Sequence, residues 1–404
     1  MLQHFLHTIL RRRHFWRHAT FSEIAELYAS RMLRILALHM VSLFVAIYLY
    51  QNGYSLAFIA FYLAIYYGSK IFIAFPAALI AARFGPKHGI LWSNILYIPS
   101  LIAFTQVPDY GIWAIAVFGL FQALSATIYD VCYLVDFSKV KHVEHAGKEI
   151  GFMSVLEKIT GGLSPLLGGA IASLISPEAT IITAALIFMM SAWPLMRTAE
   201  PVKTHQKLQF RGFPWRTTWR SLRGETAVGF DVVATGIVWT LFVAVVIFAG
   251  SGQDVYVKIG ALASVTVLTS FIIAYVVGRL IDRRQGGVLL RYSVIGKMIS
   301  HLFRPFIQTP VGVAGMNIVS EATTTSYAMA FTRGMFDTAD YSGRRITYIL
   351  FVEIAMNVGA ALACLSLGLL IVWLGDTEGM RAFFIVAAGY VGLAAMSRFA
   401  LYRS

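Results

Sequence analysis

The chain alternates long apolar runs with short clusters of charged and turn-forming residues. Twelve runs stand out: 32–50, 55–82, 89–106, 111–136, 149–175, 180–196, 226–249, 258–278, 287–308, 312–332, 346–373 and 380–397. Most approach the ~20 residues that a helix needs to cross a bilayer core. None shows the short alternating pattern of a transmembrane barrel, and several continue without any turn signal. The pattern therefore predicts an all-α polytopic membrane protein with twelve transmembrane helices. Ahead of the first run, MLQHFLHTILRRRHFWRH places its arginines after its apolar residues and lacks a small-residue cleavage site. That order is wrong for a signal peptide. It predicts a basic amphipathic segment on the membrane surface over residues 1–31, with a T-x-x-E capping box from Thr20 to Glu23 opening the first long helix.

Composition narrows this picture. The 404 residues are 58% hydrophobic and 13% charged, with mean hydropathy +0.70, whereas an ordinary soluble chain carries about 25% charged residues. A disordered chain and a water-soluble globule are both excluded. If the N-terminus faces the cytoplasm, 26 of the 33 lysines and arginines fall in inside segments and none in the six outside loops proper. This asymmetry predicts a multi-pass protein of the cytoplasmic membrane with both termini inside. It also accounts for the net charge of +13 through contact with anionic lipid, without invoking nucleic acid. Cys132 and Cys364 lie in apolar runs and suggest no disulfide framework.

One long basic loop, 197–225, divides the spans six and six. The expected organisation is an N-terminal segment 1–31, a six-helix bundle 32–196, a cytoplasmic linker 197–225 and a second bundle 226–404. Internal similarity supports two related halves. GKEIGFMSVLEK at 147–158 aligns with GRRITYILFVEI at 343–354, pairing Gly147 with Gly343 and Glu157 with Glu353. The same offset places Ala126-Thr127 on Ala322-Thr323, and Arg83 corresponds to Arg283 at nearly that offset.

These features resemble the major facilitator superfamily of secondary transporters. Residues 278–283, GRLIDR, resemble its loop motif G-x-L-x-D-R through Gly278, Asp282 and Arg283. Residues 83–87, RFGPK, resemble the first-half copy R-x-G-R-K through Arg83, Gly85 and Lys87, with Ala82 where the family has an acid and Pro86 where a basic residue is common. The resemblance implies that this loop holds the two bundles together at the cytoplasmic side, and the missing acid implies a weaker first-half latch. The fifth span, GFMSVLEKITGGLSPLLGGA, resembles the antiporter motif G-x8-G-x3-G-P-x2-G-G at Gly151, Pro165, Gly168 and Gly169. Small residues there also serve close helix packing, so the run reads equally as packing or as a mark of export.

Ionisable residues at membrane depth are costly and face a cavity or a partner. Glu321 sits mid-span in NIVSEATTTSYA, whose hydroxyls surround the helix, and is the leading proton-coupling candidate with Asp130 in the fourth span. The family resemblance makes the first, fourth, seventh and tenth spans line the central cavity. It thereby nominates His39, Gln122, Tyr133, Asp231, Trp239 and Thr324. Asp231 falls near the expected start of its span, so pairing with a helix N-terminus is an equal reading. Lys70, Glu157, Lys158 and Glu353 form a set of intramembrane charges, one of the two glutamates compensating one of the two lysines across the bundle interface. Lys297, His301 and Arg304 share a face of the ninth span, which in the family is peripheral, so snorkelling to outer headgroups or structural pairing is expected. Asp136 reads as interfacial.

There is no phosphate loop, no H-E-x-x-H, no C-x-x-C and no G-x-S-x-G. No metal, cofactor or enzymatic site is expected. The expected function is a monomeric secondary transporter moving a small-molecule substrate by alternating access, coupled to protons, with export slightly favoured. Two alternatives stand: a symporter importing a small polar or anionic solute, and a membrane sensor or scaffold that keeps the fold without turnover.

Overall fold

The computed structural model describes residues 21–42, 45–141, 146–175, 177–200, 205–249, 258, 262, 269–270, 272–281, 285–397 and 399, with the side chains at 21, 22, 41, 42, 146, 165, 166, 169, 172, 173, 177 and 178 excepted. Among these the fold is helical throughout. In a bilayer every backbone N–H and C=O needs an internal partner, and a helix supplies one without help from a neighbour. The first half comprises α1 (Phe21–Ser42), α2 (Val45–Gln51), α3 (Leu56–Arg83), α4 (Pro86–Thr105), α5 (Ile112–Val140), α6 (Ala146–Leu174) and α7 (Pro177–Ser191). The second comprises α8 (Trp215–Val232, continuing through wider turns to Ile247), α9 (Ile272–Ile281), α10 (Gly286–Phe303), α11 (Pro310–Tyr341), α12 (Arg345–Leu374) and α13 (Asp376–Val391). Among the described residues, seven helical stretches are long and apolar enough to cross a membrane: Glu23–Gln51, Leu56–Arg83, Ile112–Val140, Ala179–Arg197, Trp215–Ile247, Arg345–Leu374 and Asp376–Met396.

Local chemistry sets the helix boundaries. The Ser55 hydroxyl accepts from the Phe58 N–H at 3.2 Å and opens α3. Thr309 does the same for Gly312 at 3.1 Å, with Pro310 in the first turn of α11. Gly375, at φ +83°, turns the chain between α12 and α13, a conformation that a side chain would strain. Intramembrane hydroxyls fold back on their own helix, as Thr127 does to the Ala123 carbonyl at 2.8 Å and Ser326 to that of Ala322 at 2.7 Å.

Two boundaries differ from the sequence pattern. The stretch up to residue 31 was expected on the membrane surface, yet from Phe21 onward it belongs to α1, and Ile24, Leu27 and Tyr28 are buried in the core. Thr20 and the residues before it lie outside the described residues. The seventh span begins at Trp215 rather than 226, because WRTTWRSLRGETAVGFDV is amphipathic and extends the helix into the expected linker. Of the eighth span, 258–278, residues 258, 262, 269–270 and 272–278 are described, the last stretch as part of α9.

The halves meet along their length. Helix α3 packs on α12, α6 on α11, and α5 also reaches α12. One apolar cluster gathers residues from both halves at the end where the linker runs, including Phe137 and Phe336 with ring centroids 5.2 Å apart. A second cluster joins α2, α3, α8, α12 and α13 at the opposite end. Glycine permits the closest approaches: a Cβ on Gly359 would lie 1.8 Å from the Thr226 carbonyl oxygen, and one on Gly229 would lie 1.9 Å from that of Met356. Gly359→Ala must therefore push α8 and α12 apart. A loss of about 3 kcal/mol is expected, the upper part of the overpacking range, seen as a lowered thermal unfolding midpoint in detergent; an unchanged midpoint contradicts this packing.

Candidate functional site

Membrane-depth charges collect along the interface between the halves, where each must find a counter-charge. Lys70 on α3 reaches in two directions. Its Nζ lies 3.3 Å from Asp130 Oδ2 on α5 and 3.5 Å from Glu353 Oε1 on α12 in the other half. Glu353 is buried and also accepts from Asn357 Nδ2 at 2.7 Å, whereas the Asp130 side chain is 38% exposed. One ammonium thus serves two carboxylates. Tyr66 and Tyr67 on the same helix, with Gln122 on α5, line an adjacent cavity of about 180 Å³ closed by Ile237 and Thr240 of α8.

A second ion pair crosses between the halves. Lys158 Nζ on α6 donates to Glu321 Oε2 on α11 at 3.2 Å, and the Thr325 hydroxyl donates to Glu321 Oε1 at 2.9 Å. Lys158 is 44% exposed by its side chain while Glu321 is 8% exposed, so the pair sits at the edge of open space. Glu157, the neighbour of Lys158, instead meets Arg31 of α1 at 2.7 Å. That guanidinium lies 4.6 Å from the Tyr133 ring centre, and Tyr133 stacks on Tyr129 at 5.7 Å. Of the two repeat-related glutamates, Glu353 ties the halves together and Glu157 pairs within its own half.

Other nominated residues fall elsewhere. His39 packs its ring against Gly161, whose Cβ would lie 2.9 Å from Nδ1. Gly168 and Gly151 are close-approach positions, where an added Cβ would lie 2.7 Å from the Met40 carbonyl oxygen and 3.2 Å from that of Ala274; the packing of Pro165 and Gly169 lies outside the described residues. Asp231 lies well inside the α8 stretch rather than at its N-terminus, because that helix starts eleven residues earlier than expected. It is fully buried and accepts from His301 Nε2 at 2.6 Å and from the Tyr327 hydroxyl, with Lys297 Nζ at 3.6 Å. Of the two readings for Lys297, His301 and Arg304, snorkelling to headgroups or structural pairing, the structure has the second, since all three are fully buried inside the second half. Ser320 accepts from Lys297 at 2.7 Å and from Arg304 at 2.8 Å. Thr324 accepts from Lys297 at 2.6 Å and so belongs to this cluster. Trp239 covers Arg304 at 4.9 Å and donates its Nε1–H to Asn317 Oδ1 at 2.8 Å. Asp136, expected at the interface with water, is buried.

The gate loop acquires its acid from an unexpected place. A Cβ on Gly85, at φ +97°, would collide with the Glu200 carboxylate of the linker. Glu200 accepts from the N–H groups of Lys87 and His88 at 3.2 Å each, and contacts His88 Nδ1 at 2.7 Å. It thus caps the N-terminus of α4, where a negative charge is favoured. Lys87 Nζ is held by the Thr198 carbonyl at 3.1 Å and by the Thr198 hydroxyl, which in turn donates to Glu26 at 2.7 Å. Main-chain N–H groups of His205 and Gln206 donate to the carbonyls of Arg83 and Ala82. In the second copy, a Cβ on Gly278 would lie 3.4 Å from the Gly147 carbonyl oxygen, and Asp282 and Arg283 lie outside the described residues.

Sequence reasoning missed Arg31, Arg34, Glu200 and the two cavity tyrosines. Arg34 is buried with no ion pair among the described residues: its guanidinium donates to Asn94 and to Ser125 at 3.2 Å and lies 3.8 Å over the Tyr129 ring. The signal for Arg31 and Arg34 was their i, i+3 spacing on a helix that begins at Phe21.

Comparisons with known proteins accord with this architecture. The family model described as Major Facilitator Superfamily matches residues 27–339. No curated protein sequence matches significantly. Among solved structures, the fold is similar to the E. coli fucose:proton symporter FucP, with TM-score 0.64, 15% identity and coverage of 92% of this chain and 97% of that one. It is also similar to a bacterial homologue of the iron transporter ferroportin in an outward-facing state with soaked iron, with TM-score 0.66, 13% identity and the same coverages.

Two outcomes test the site geometry. Lys70→Ala leaves two carboxylates facing each other, and breaking a buried pair in this way costs about 3–5 kcal/mol; a Lys70→Met, Glu353→Gln double variant should recover part of the lost thermal stability. Equal instability of single and double variants argues against the pair. Glu200→Ala should lower stability by about 1 kcal/mol through the lost cap, with Glu200→Gln intermediate, as read by thermal unfolding; a silent Glu200→Ala removes the clasp.

Proposed function

The chain belongs to the Major Facilitator Superfamily of membrane transporters, and from that premise we propose that it is a proton-coupled secondary transporter exporting a small molecule by alternating access. The observation that carries this reading is Lys70 held between Asp130 of its own half and Glu353 of the other. With two carboxylates and one ammonium, a proton added to either acid frees Lys70 to pair with the other alone. Protonation of Glu353 releases the tie across the halves; protonation of Asp130 strengthens it. Proton occupancy and the separation of the halves are thereby linked. Lys158 and Glu321 form a second such tie, with Glu321 reachable from open space through its partner.

The basic linker end is the cytoplasmic side in this reading, with both termini inside the cytoplasmic membrane and the protein acting as a monomer in contact with anionic lipid. The glycine run of α6 supports export, through its likeness to the antiporter motif. A similar structure is a fucose:proton symporter, so import by symport is the rival.

Inside-out vesicles loaded with a pH gradient decide between them, using compounds whose cellular content differs between cells with and without the protein. Export by antiport gives substrate-induced proton release from the lumen; symport gives the opposite dependence. Glu321→Gln or Asp130→Asn should abolish the proton response with expression intact. A proton response unchanged in both variants rejects their coupling role, and no proton movement with any compound rejects transport.

A further inference from the structure

At the linker end, apart from the central charges, both halves and the linker together enclose a cavity of about 500 Å³. Lys139, in the last turn of α5, forms one wall. Residues 206–209 of the linker form a second, and residues 339–347 around the turn between α11 and α12 form the third. The charge on these walls is unbalanced. Lys139, Lys207, Arg344 and Arg345 face a single acid, Asp340. That acid is already engaged by Lys141 at 2.7 Å and by Arg345 Nη2.

Two donors here remain unused. Arg344 Nη1 and Arg345 Nε are buried with no hydrogen-bond partner among the described residues, and buried polar atoms in that state call for an explanation. Gly212, at φ +74°, leaves room for the Arg344 guanidinium, since a Cβ there would lie 3.2 Å from its Nη2. Helix α12 runs for 30 residues and opens at this cavity, with Arg344 in the capping position and no side-chain cap. The N–H groups of its first turn therefore add to the positive field. Thr347, in that turn, donates to the Gln209 carbonyl at 3.3 Å and fixes the linker over the opening.

We propose that this cavity binds a phosphate group, either of an anionic lipid headgroup or of a soluble phosphate compound, and that the bound group holds the linker end closed. Guanidinium donors beside a helix N-terminus match the several acceptor oxygens of phosphate. The clamping follows from where the walls come from: Lys139 belongs to the first half and Arg344 to the second, so the site exists only while the two lie together. This assignment stands whether or not the transport reading does.

The test uses the purified full-length protein in neutral phosphatidylcholine nanodiscs, titrated with inorganic pyrophosphate while the thermal unfolding midpoint is followed. A second arm incorporates phosphatidylglycerol and reads lipid retained by native mass spectrometry. A saturable rise with pyrophosphate identifies a soluble phosphate compound; retention of phosphatidylglycerol without a pyrophosphate response identifies a headgroup. Either signal should weaken at least tenfold in an Arg344→Gln, Lys207→Gln double variant and in Gln209→Glu, which brings a negative charge to the exposed rim. Arg381→Gln, distant in sequence and paired with Glu378, should leave it unchanged. The proposal fails if neither arm responds, if sulfate at equal ionic strength gives the same rise, or if Gln209→Glu, folded by size exclusion, responds like the unaltered protein.

Discussion

Burying a charge in a low-dielectric interior costs several kcal/mol unless a partner and hydrogen bonds compensate it, and this constraint organises the molecule around Lys70. The ammonium is fully engaged by Asp130 and Glu353, and those contacts fix α3 between α5 and α12. The same rule governs Lys158 with Glu321 and Arg31 with Glu157. Ion pairs that cross between halves differ from those within a half in one respect. A pair inside one bundle can remain intact during a rigid-body motion, whereas Lys70 with Glu353 and Lys158 with Glu321 must break or exchange.

The buried cluster of the second half shows the contrasting use of charge. Asp231, Lys297, His301 and Arg304 are sealed from open space, and Ser320, Thr324 and Tyr327 complete their hydrogen bonds. It joins α8, α10 and α11 into one body. The first half has a smaller counterpart in Arg34, held by Asn94 and Ser125 beneath Tyr129.

The linker has a structural part in this arrangement. Glu200 caps α4 and fills the space above Gly85, while Phe210 stacks near Phe75 of the first half at 6.1 Å and meets Phe351 of the second edge-on at the same distance. Seen from the chain alone, Ala82 in place of an acid suggested a weak first-half latch. The acid comes instead from 118 positions downstream, a separation at which no local spacing rule operates. Arg31 escaped notice for a different reason, since the first apolar run begins at residue 32 whereas the helix begins at Phe21; Arg34 lies inside that run, and only the packing shows what holds it.

The sequence by itself determined the helical character, the crossing of a membrane, the family and the presence of charges at membrane depth, because each follows from local hydrophobicity, residue type and short motifs. Lys70, Asp130, Lys158, Glu321 and Glu353 were all legible as residues that need partners. Which partner each takes was decided only by tertiary structure, because pairing depends on how helices distant in the chain rotate and cross. The same holds for Asp231, which helix length carried from an expected terminus into a sealed core. A one-dimensional pattern records that a charge must be compensated; the packing of the helices against one another decides where the compensation comes from.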